Sequence, residues 1–354
     1  AGAKNRWWTT EDIEGTQRVL PHLYHFGANS FLLLSERGEG LVIDPQRPDI
    51  ELLAQLMEHL GVERISAATA SHYHSDHSDG LNYVRTRWGA AVWLHPWVAE
   101  PIRDRDRLEV PWLPAESIEP DRLLPVEGRF RWNEYAFSIR PFPGQTWWHC
   151  AFDAEVDGEH VLFSGDNFQP PSRWNGTGGF CAFNGSRFVE GFARSAQAVL
   201  DMAPSLICNG HGCIYPFSAD QYRRIVRWAA KSEECVRALC PTDDWLSAYD
   251  PRALRLAPFV QRARPGQTLE ITAVLTNTSA RPVQIALSPI GPTGWRLRAA
   301  RGNVRLKSGA TRRVRIALSL PRTAAAGRHV CSIDVEIDGQ LRAEACVALV
   351  DVSA

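Results

Sequence analysis

The residue types that could do chemistry are concentrated in one ten-residue stretch of the chain, SHYHSDHSDG. It contains the pattern H-x-H-x-D-H, formed by His72, His74, Asp76 and His77. Neutral imidazoles gain little from such crowding and charged ones repel, whereas imidazole nitrogen and carboxylate oxygen are ligands of zinc- and iron-type ions. In an extended chain His72 and His74 point to the same side, and beyond the bend Asp76 and His77 can face a neighbouring ion. The spacing therefore predicts a divalent metal site and fits two ions better than one.

Three more polar residues follow short apolar segments later in the chain, each beside a glycine or a turn residue. They are His149 in PGQTWWHC, Asp166 after VLFSG and His211 after SLICNG. The segment RISAATAS predicts a buried strand that delivers His72 at its carboxyl end, where open α/β sheets usually place their chemistry. One histidine at a strand end is unremarkable, but the repeated placement predicts that these side chains converge.

The elements that must position these residues alternate between strands and helices, which indicates an α/β domain. Residues 17–45 predict paired strands, and PDIELLAQLMEHLG predicts a helix that Asp49 caps and Gly61 ends. Residues 96–125, with several prolines and alternating charges, predict an irregular excursion. Further helices are predicted over GLNYVRTRWG, VEGFARSAQAVLDM and SADQYRRIVRWAAKSEECVRALC.

The complete set of motifs resembles the metallo-β-lactamase-fold superfamily, whose pattern is H-x-H-x-D-H, a later His, a Gly-Asp and a final Gly-His. The resemblance covers roughly residues 15–235. It implies a four-layer αββα fold and a binuclear metallohydrolase of the glyoxalase II or lactonase kind. It also implies two divalent metal ions, zinc in the first place, with iron or manganese as alternatives.

Carried over residue by residue, the resemblance implies two groups of ligands joined by one carboxylate. The first ion takes His72, His74 and His149, the second takes Asp76, His77 and His211, and Asp166 bridges them. Water shared by two such ions loses its proton near neutral pH and becomes a nucleophile. Asp166 and Asp76 are the expected catalytic residues, and Asp76 would hand a proton to the leaving group.

The substrate is expected to be a small molecule with an ester, lactone, thioester or amide-type bond. Aromatic walls with few polar groups are typical of small-molecule pockets, and the candidate substrate contacts near the ligands are Trp148, Phe168, Arg173 and Trp174. A β-rich tail, where glyoxalase II-like thioesterases have helices, makes the glutathione substrate doubtful. Two alternatives stay open: a mononuclear iron sulfur or persulfide dioxygenase on the same scaffold, and a non-catalytic metal-stabilised binding protein.

Charge and hydropathy give no reason to expect nucleic acid or membrane as a partner. The 354 residues carry a formal net charge of -1, and no stretch approaches the ~20 apolar residues of a transmembrane helix. The first residues lack the apolar region of a signal peptide, so a cytoplasmic protein is expected, with secretion or a periplasmic location open if a signal peptide has been removed. The scattered cysteines predict free thiols. The alternation of apolar residues predicts a hairpin with a three-residue loop, Asp338-Gly339-Gln340, which puts Cys331 and Cys346 on opposite faces.

The chain changes character from about Leu254, where short alternating strands are separated by Gly, Pro and Asn turns. This pattern predicts an antiparallel β-sandwich, and it resembles the immunoglobulin-like modules appended to many hydrolases. The predicted domains are therefore residues 1–245, catalytic, and residues 246–354, the sandwich. With few aromatics in this domain, a homodimer through the sandwich or cover for the catalytic domain is favoured over carbohydrate or cell-surface binding.

Overall fold

The computed structural model describes residues 9–10 (backbone only), 13–170, 180–239, 250–300 and 302–353. Its internal contacts divide the chain into two units. The first comprises Ala1–Arg105 and Pro111–Pro241, and the second comprises Asp106–Val110 and Thr242–Ala354. The predicted boundary between residues 245 and 246 lies outside the described residues. The prediction of a single boundary missed the Asp106–Val110 segment, which belongs to the second unit although the first unit flanks it in the sequence.

The first sheet of unit 1 has eight strands in chain order. They are β1 (Thr9–Thr10), β2 (Thr16–Leu20), β3 (Leu23–Phe26), β4 (Ser30–Leu34), β5 (Glu39–Ile43), β6 (Arg64–Thr69), β7 (Ala91–Leu94) and β8 (Arg122–Leu123). Neighbours from β1 to β5 are antiparallel, and β5 to β8 run parallel to one another. The paired strands predicted over residues 17–45 are confirmed.

The second sheet of unit 1 has six strands in the order β14-β13-β12-β11-β10-β9. They are β9 (Gly128–Trp132), β10 (Tyr135–Pro141), β11 (Cys150–Val156), β12 (Glu159–Gly165), β13 (Leu206–Asn209) and β14 (Ile214–Pro216). Only β12 and β13 are parallel. The sheets face each other across a buried core, where the rings of Phe31 and Phe163 meet edge to face at 5.6 Å, and the indole of Trp132 donates a hydrogen bond to Ser66 at 2.9 Å.

Helices flank the two sheets and complete the αββα arrangement that the sequence predicts. They are α1 (Ile50–Leu60), α2 (Ser75–Ser78), α3 (Leu81–Trp88), α4 (Pro96–Ile102), α5 (Arg194–Met202) and α6 (Ala219–Leu239). Gly61 ends α1 in the left-handed conformation, as predicted. Asp49 occupies the N-cap position, as predicted, but its carboxylate makes no capping hydrogen bond and instead accepts from the backbone of Ala28 and from Gln46. A π-helical turn, Phe188–Ala193, leads into α5. Within the described part of the chain, no helix has an apolar stretch long enough to cross a bilayer.

The expectation of an irregular excursion over residues 96–125 is wrong in part, because α4 begins there and β8 follows. His95 caps α4: its Nδ1 accepts a hydrogen bond from the backbone N–H of Trp97 at 3.1 Å, and its Nε2 lies 2.8 Å from the carbonyl of Val126. Proline at the first helical position suits this start, since the missing N–H would be unsatisfied there anyway. His95 is thereby accounted for as a structural residue.

Unit 2 is a sandwich of a four-stranded and a five-stranded sheet, in the orders β15-β17-β21-β19 and β16-β23-β22-β18-β20. The strands are β15 (Leu254–Ala257), β16 (Val260–Ala263), β17 (Thr268–Thr276), β18 (Val283–Ile290), β19 (Arg296–Ala299), β20 (Asn303–Leu306), β21 (Thr311–Ser319), β22 (Gly327–Ile337) and β23 (Gln340–Val352). All pairings are antiparallel except β16 with β23. Alternating apolar residues of both sheets form its core. The predicted β-sandwich is confirmed.

The hairpin of β22 and β23 corrects one register prediction. Asp338 and Gly339, both with positive φ, form a two-residue turn rather than the three-residue loop expected from the sequence. The pairing then shifts between Ile333 and Val335, and Ile333 lies opposite Cys346. Cys331, two residues from Ile333, therefore shares the buried face with Cys346, and both thiols are free.

Candidate metal centre

The H-x-H-x-D-H stretch begins directly after β6, and a short helix turns its second half. His74 is still extended where α2 begins, so Asp76 and His77 lie on the first helical turn. His72 forms an isolated antiparallel bridge with His149, which follows the loop after β10. The two rings stack with centroids 4.8 Å apart, and the His72 and His74 rings lie 4.5 Å apart. The structure therefore brings His72, His74 and His149 together.

A second group forms on the other side of Asp166. The potential ligand atoms of Asp76, His77 and His211 all lie within 4.8 Å of one another. The Nε2 atom of His77 is 3.6 Å from Asp76 Oδ2, and that of His211 is 3.8 Å from the same oxygen. His211 stands just after β13 with φ of 55°. These three residues come from two segments, the one that follows β6 and the one that follows β13.

Asp166, immediately after β12, contacts histidines of both groups. Its Oδ1 is 3.3 Å from His77 Nε2, while its Oδ2 is 3.1 Å from His211 Nε2 and 3.9 Å from His72 Nε2. The side chain is almost fully buried. The carboxylate thus lies between the two groups of imidazoles.

Burial sets the protonation of the first group. Desolvation lowers the pKa of His72 well below its ordinary value, that of His74 to about 4 and that of His149 to about 3. Neighbouring imidazoles reinforce this shift at His72. These rings are therefore neutral at pH 7, which is the form that binds a metal.

The Asp166 carboxylate acts in the opposite direction on the second group. At His77, burial favours the neutral ring, but the combined carboxylates of Asp166 and Asp44 outweigh it and raise the pKa well above the ordinary value. At His211, the hydrogen bond with Asp166 raises the pKa. The same histidines hold the pKa of Asp166 well below its usual range despite its burial. The carboxylates therefore favour a proton on these two rings, and a metal ion bound there would displace it.

Two features of the ligand residues themselves fit the binding of metal ions. Buried side-chain atoms that lack a hydrogen-bond partner are costly, and two of them, His77 Nε2 and Asp166 Oδ1, face each other here at 3.3 Å. The surrounding backbone leaves no room for another side chain. A Cβ on Gly210 would lie 2.1 Å from Asp166 Oδ1 and 2.8 Å from His77 Cε1.

Three polar residues that the sequence analysis missed support the ligands. Asp44, at the end of β5, lies 3.1 Å from His77 Nδ1, although the contact is not aligned as a hydrogen bond. Asn29 donates to Asp76 Oδ2 at 3.2 Å and accepts from the backbone N–H of His211 at 2.7 Å. Gln145 donates to Asp166 Oδ2 at 3.1 Å. Asp44 could have been found by the strand-end rule, since it follows the apolar run GLVI.

The four expected substrate contacts are placed differently. Phe168 is fully buried against Phe142, Phe192 and Tyr222. Trp148 is also buried, and its indole N–H donates to Glu100 at 3.0 Å. Both therefore belong to the core and offer almost no surface to a substrate. The other two predicted contacts, Arg173 and Trp174, lie outside the described residues.

The fold and the site together define a class of protein. The sequence model of the metallo-β-lactamase superfamily matches residues 23–232, more than half of the chain. The chain therefore belongs to the metallo-β-lactamase superfamily, whose members are metallohydrolases and typically bind metal ions. Residues 263–338, within the sandwich, match the NPCBM-associated NEW3 domain of alpha-galactosidase.

Individual relatives are distant. A hydroxyacylglutathione hydrolase of Albidiferax ferrireducens is 26% identical over 144 residues, which are 40% of this chain and 48% of that protein. The chain thus matches about half the length of this relative. A metallo-β-lactamase of Cronobacter sakazakii superposes with a TM-score of 0.51 and 16% identity, over 64% of this chain and 95% of that one. A B3 metallo-β-lactamase with an active-site glutamic acid superposes with a TM-score of 0.50 and 18% identity, over 62% of this chain and 91% of that one. At these identities the two structures show a shared fold.

Proposed function

We propose that the protein is a hydrolase that holds two divalent metal ions, zinc in the first place, and cleaves an ester, lactone, thioester or amide-type bond of a small molecule. The observation that carries this proposal is the position of Asp166 between two groups of ligands. His72, His74 and His149 would hold one ion, Asp76, His77 and His211 the other, and Asp166 both. When bound, such ions would act as Lewis acids, which lower the pKa of bound water toward neutral pH and polarise the bond under attack.

The proposed ligands differ in their exposure to solvent, which indicates where substrate would bind. Asp166 and four of the histidines are buried, whereas the side chains of Asp76 and His211 keep 40% and 38% of their surface exposed. Substrate therefore approaches from the side of these two residues. Asn29 fixes both, because it bonds the Asp76 carboxylate and the His211 backbone. Asp76 is the carboxylate placed to accept a proton from the attacking water and pass it to the leaving group.

One alternative rests on a specific set of atoms. Ligand atoms of His72, His77 and Asp166 also lie within 4.8 Å of one another. Two imidazoles and one carboxylate with open positions are typical of non-haem iron oxygenases. A mononuclear iron dioxygenase acting on sulfur or persulfide substrates would use such a set. The kind and number of bound metal ions distinguish this alternative from the hydrolase.

The decisive experiment combines metal analysis with an activity screen. We expect the purified full-length chain to contain about two zinc-type ions and to hydrolyse at least one class among lactones, thioesters and β-lactams. Asp166→Ala should lose at least one ion and all turnover. Asp153→Ala is the matched control, because Asp153 is a nearly buried carboxylate that pairs with His160 and Arg140 instead.

Other outcomes reject the proposal in distinct ways. One iron per chain, with turnover of a persulfide, would establish the oxygenase. Full activity of Asp166→Ala would remove the basis of the two-ion site. Two bound ions without turnover of any substrate class would indicate a metal-stabilised binding protein, and no metal after reconstitution would mean that the ligands do not bind as proposed.

A further inference from the structure

Trp112 is an exposed tryptophan with an unusual backbone, in the connection between α4 and β8. Its φ is 57°, in the left-handed region. Bulky residues rarely adopt this conformation, which strains the backbone. The side chain nevertheless keeps 57% of its surface exposed. Burial of the indole in the core therefore does not explain why the chain tolerates this strain.

The strained residue is held against the metal-ligand stretch. The carbonyl of Trp112 accepts a hydrogen bond of 2.8 Å from the backbone N–H of Ser75, which begins α2 between His74 and Asp76. Three residues further on, the backbone N–H of Ala115 donates to the Asp79 carboxylate at 2.8 Å. Two hydrogen bonds thus fix this connection onto the segment that carries four of the ligands.

The indole of Trp112 stands beside one of those ligands. Its ring centroid is 5.1 Å from that of His74, with the planes at 77°, an edge-to-face contact. His74 is itself only 4% exposed. A tryptophan so placed covers one edge of the imidazole and presents the rest of its ring to solvent, next to the proposed metal site.

Other aromatic rings, two of them half-buried and one exposed, come from neighbouring segments. Trp147, two residues before His149, stacks on Trp97 with centroids 5.1 Å apart. The backbone of Trp147 also donates to Asn184, whose neighbour Phe183 is 58% exposed. Large exposed apolar rings around a site are typical of surfaces that bind apolar ligand groups.

We propose that Trp112 is a substrate-contacting residue that makes the site selective for substrates with an aromatic or other large apolar group beside the scissile bond. This inference rests on the proposed function. The strained backbone at Trp112 then serves to hold the indole in position. Substrates that carry only a small or charged group beside the scissile bond would make no favourable contact with the indole.

The test uses thiols that bind metal directly, so it does not depend on turnover. The full-length protein is loaded with cobalt, and binding of benzyl mercaptan and of 2-mercaptoethanol is titrated by the thiolate-to-cobalt absorption band. In Trp112→Gly, we expect the affinity for benzyl mercaptan to fall about tenfold, since an aromatic contact and its buried area are lost. The affinity for 2-mercaptoethanol should change less than twofold.

Glycine also relieves the positive φ, which separates a substrate-binding role from a structural one. If Trp112 binds substrate, Trp112→Gly should unfold at a temperature equal to or above that of the wild type. Trp112→Phe should keep most of the preference for benzyl mercaptan. Trp88→Ala, at the last residue of α3, where Arg87 lies over the ring, serves as the matched control and should leave both thiol affinities unchanged.

Equal losses of affinity for both thiols, or an unchanged preference in Trp112→Gly, would overturn the assignment of Trp112. A preference that disappears in Trp112→Gly supports it even if no hydrolysis is found, in which case only the proposed reaction fails. Where a substrate class is found, the ratio of kcat/KM for a phenyl-bearing and a methyl-bearing member should fall about tenfold in the same variant.

Discussion

The Asp44 carboxylate lies 3.1 Å from Nδ1 of His77, on the side of the ring opposite the proposed metal. Ser71 donates two hydrogen bonds to this carboxylate, from its backbone N–H at 2.5 Å and from its hydroxyl at 2.7 Å. The same hydroxyl is 3.1 Å from Nδ1 of His72. Asp44 therefore fixes the orientation of one ligand directly and of another through Ser71.

We expect Asp44→Asn to weaken metal binding by about 10- to 100-fold, the usual effect of removing a partner behind a ligating histidine. The substitution keeps the shape but removes the charge that orients the His77 ring. Competition with a chromogenic chelator measures the affinity. Asp153→Asn, which also removes a carboxylate beside a histidine, should leave the affinity unchanged, and equal affinities for both variants would contradict this role of Asp44.

Gly210→Ala should abolish metal binding at the second group of ligands. The added Cβ would overlap with Asp166 Oδ1, and both Asp166 and His77 would have to move. We expect elemental analysis to show at least one ion fewer per chain. Gly191→Ala is the matched control, because its Cβ would meet only ordinary contacts of 3.5 Å or more. Normal metal content in Gly210→Ala would show that Asp166 need not occupy the observed position.

Removal of metal should destabilise the fold as well as stop turnover. The apo centre leaves buried donor atoms without partners, and a ligand bound only by the folded state adds about 4 kcal/mol at a thousandfold excess over its Kd. We expect the midpoint of thermal unfolding to fall after treatment with a chelator and to recover when zinc is added. In Asp166→Ala the shift with zinc should be much smaller, whereas an equal shift would indicate binding elsewhere.

Phe168 should contribute to stability and not to substrate binding. Its ring is fully buried among three other aromatic rings, so Phe168→Ala should cost about 3–5 kcal/mol of unfolding free energy in a denaturant titration. Phe183→Ala, which removes a ring that is 58% exposed, should change the same quantity by less than about 1 kcal/mol. Similar costs for the two variants would contradict the assignment of Phe168 to the core.

Most ligand positions were accessible from the sequence because they follow a strand, whereas His149 lies directly before β11. Hydrophobic runs report such strand ends directly, and the fold superimposes them at one edge of the two sheets. Asp44 obeys the same rule, since it directly follows β5, but it belongs to none of the motifs that marked the other ligands. Asn29 and Gln145 stand in loops, where nothing in the local pattern indicates that their side chains reach Asp76 and Asp166.

The remaining differences arise from backbone geometry that residue types do not specify. The positive φ of Trp112 depends on the hydrogen bond from Ser75, a contact across the fold. The common face of Cys331 and Cys346 depends on the length of the turn between β22 and β23, because Ile337 pairs with Gln340 and not with Leu341. A one-residue difference in turn length reverses which residues of β23 share a face with β22, so the expected three-residue loop assigned these two thiols wrongly.

The Asp106–Val110 segment has a consequence for how the chain can be divided. Within the second unit, the carbonyls of Asp106 and Arg107 accept hydrogen bonds from Val260 and Phe259, and the Asp106 carboxylate pairs with Arg262. No single cut can release either unit whole. A fragment ending near residue 241 would keep Asp106–Val110 without the residues that they contact. The excised sandwich would lose the hydrogen bonds that Phe259 and Val260 donate to this segment. Separate expression of the sandwich would therefore need those five residues grafted back onto it.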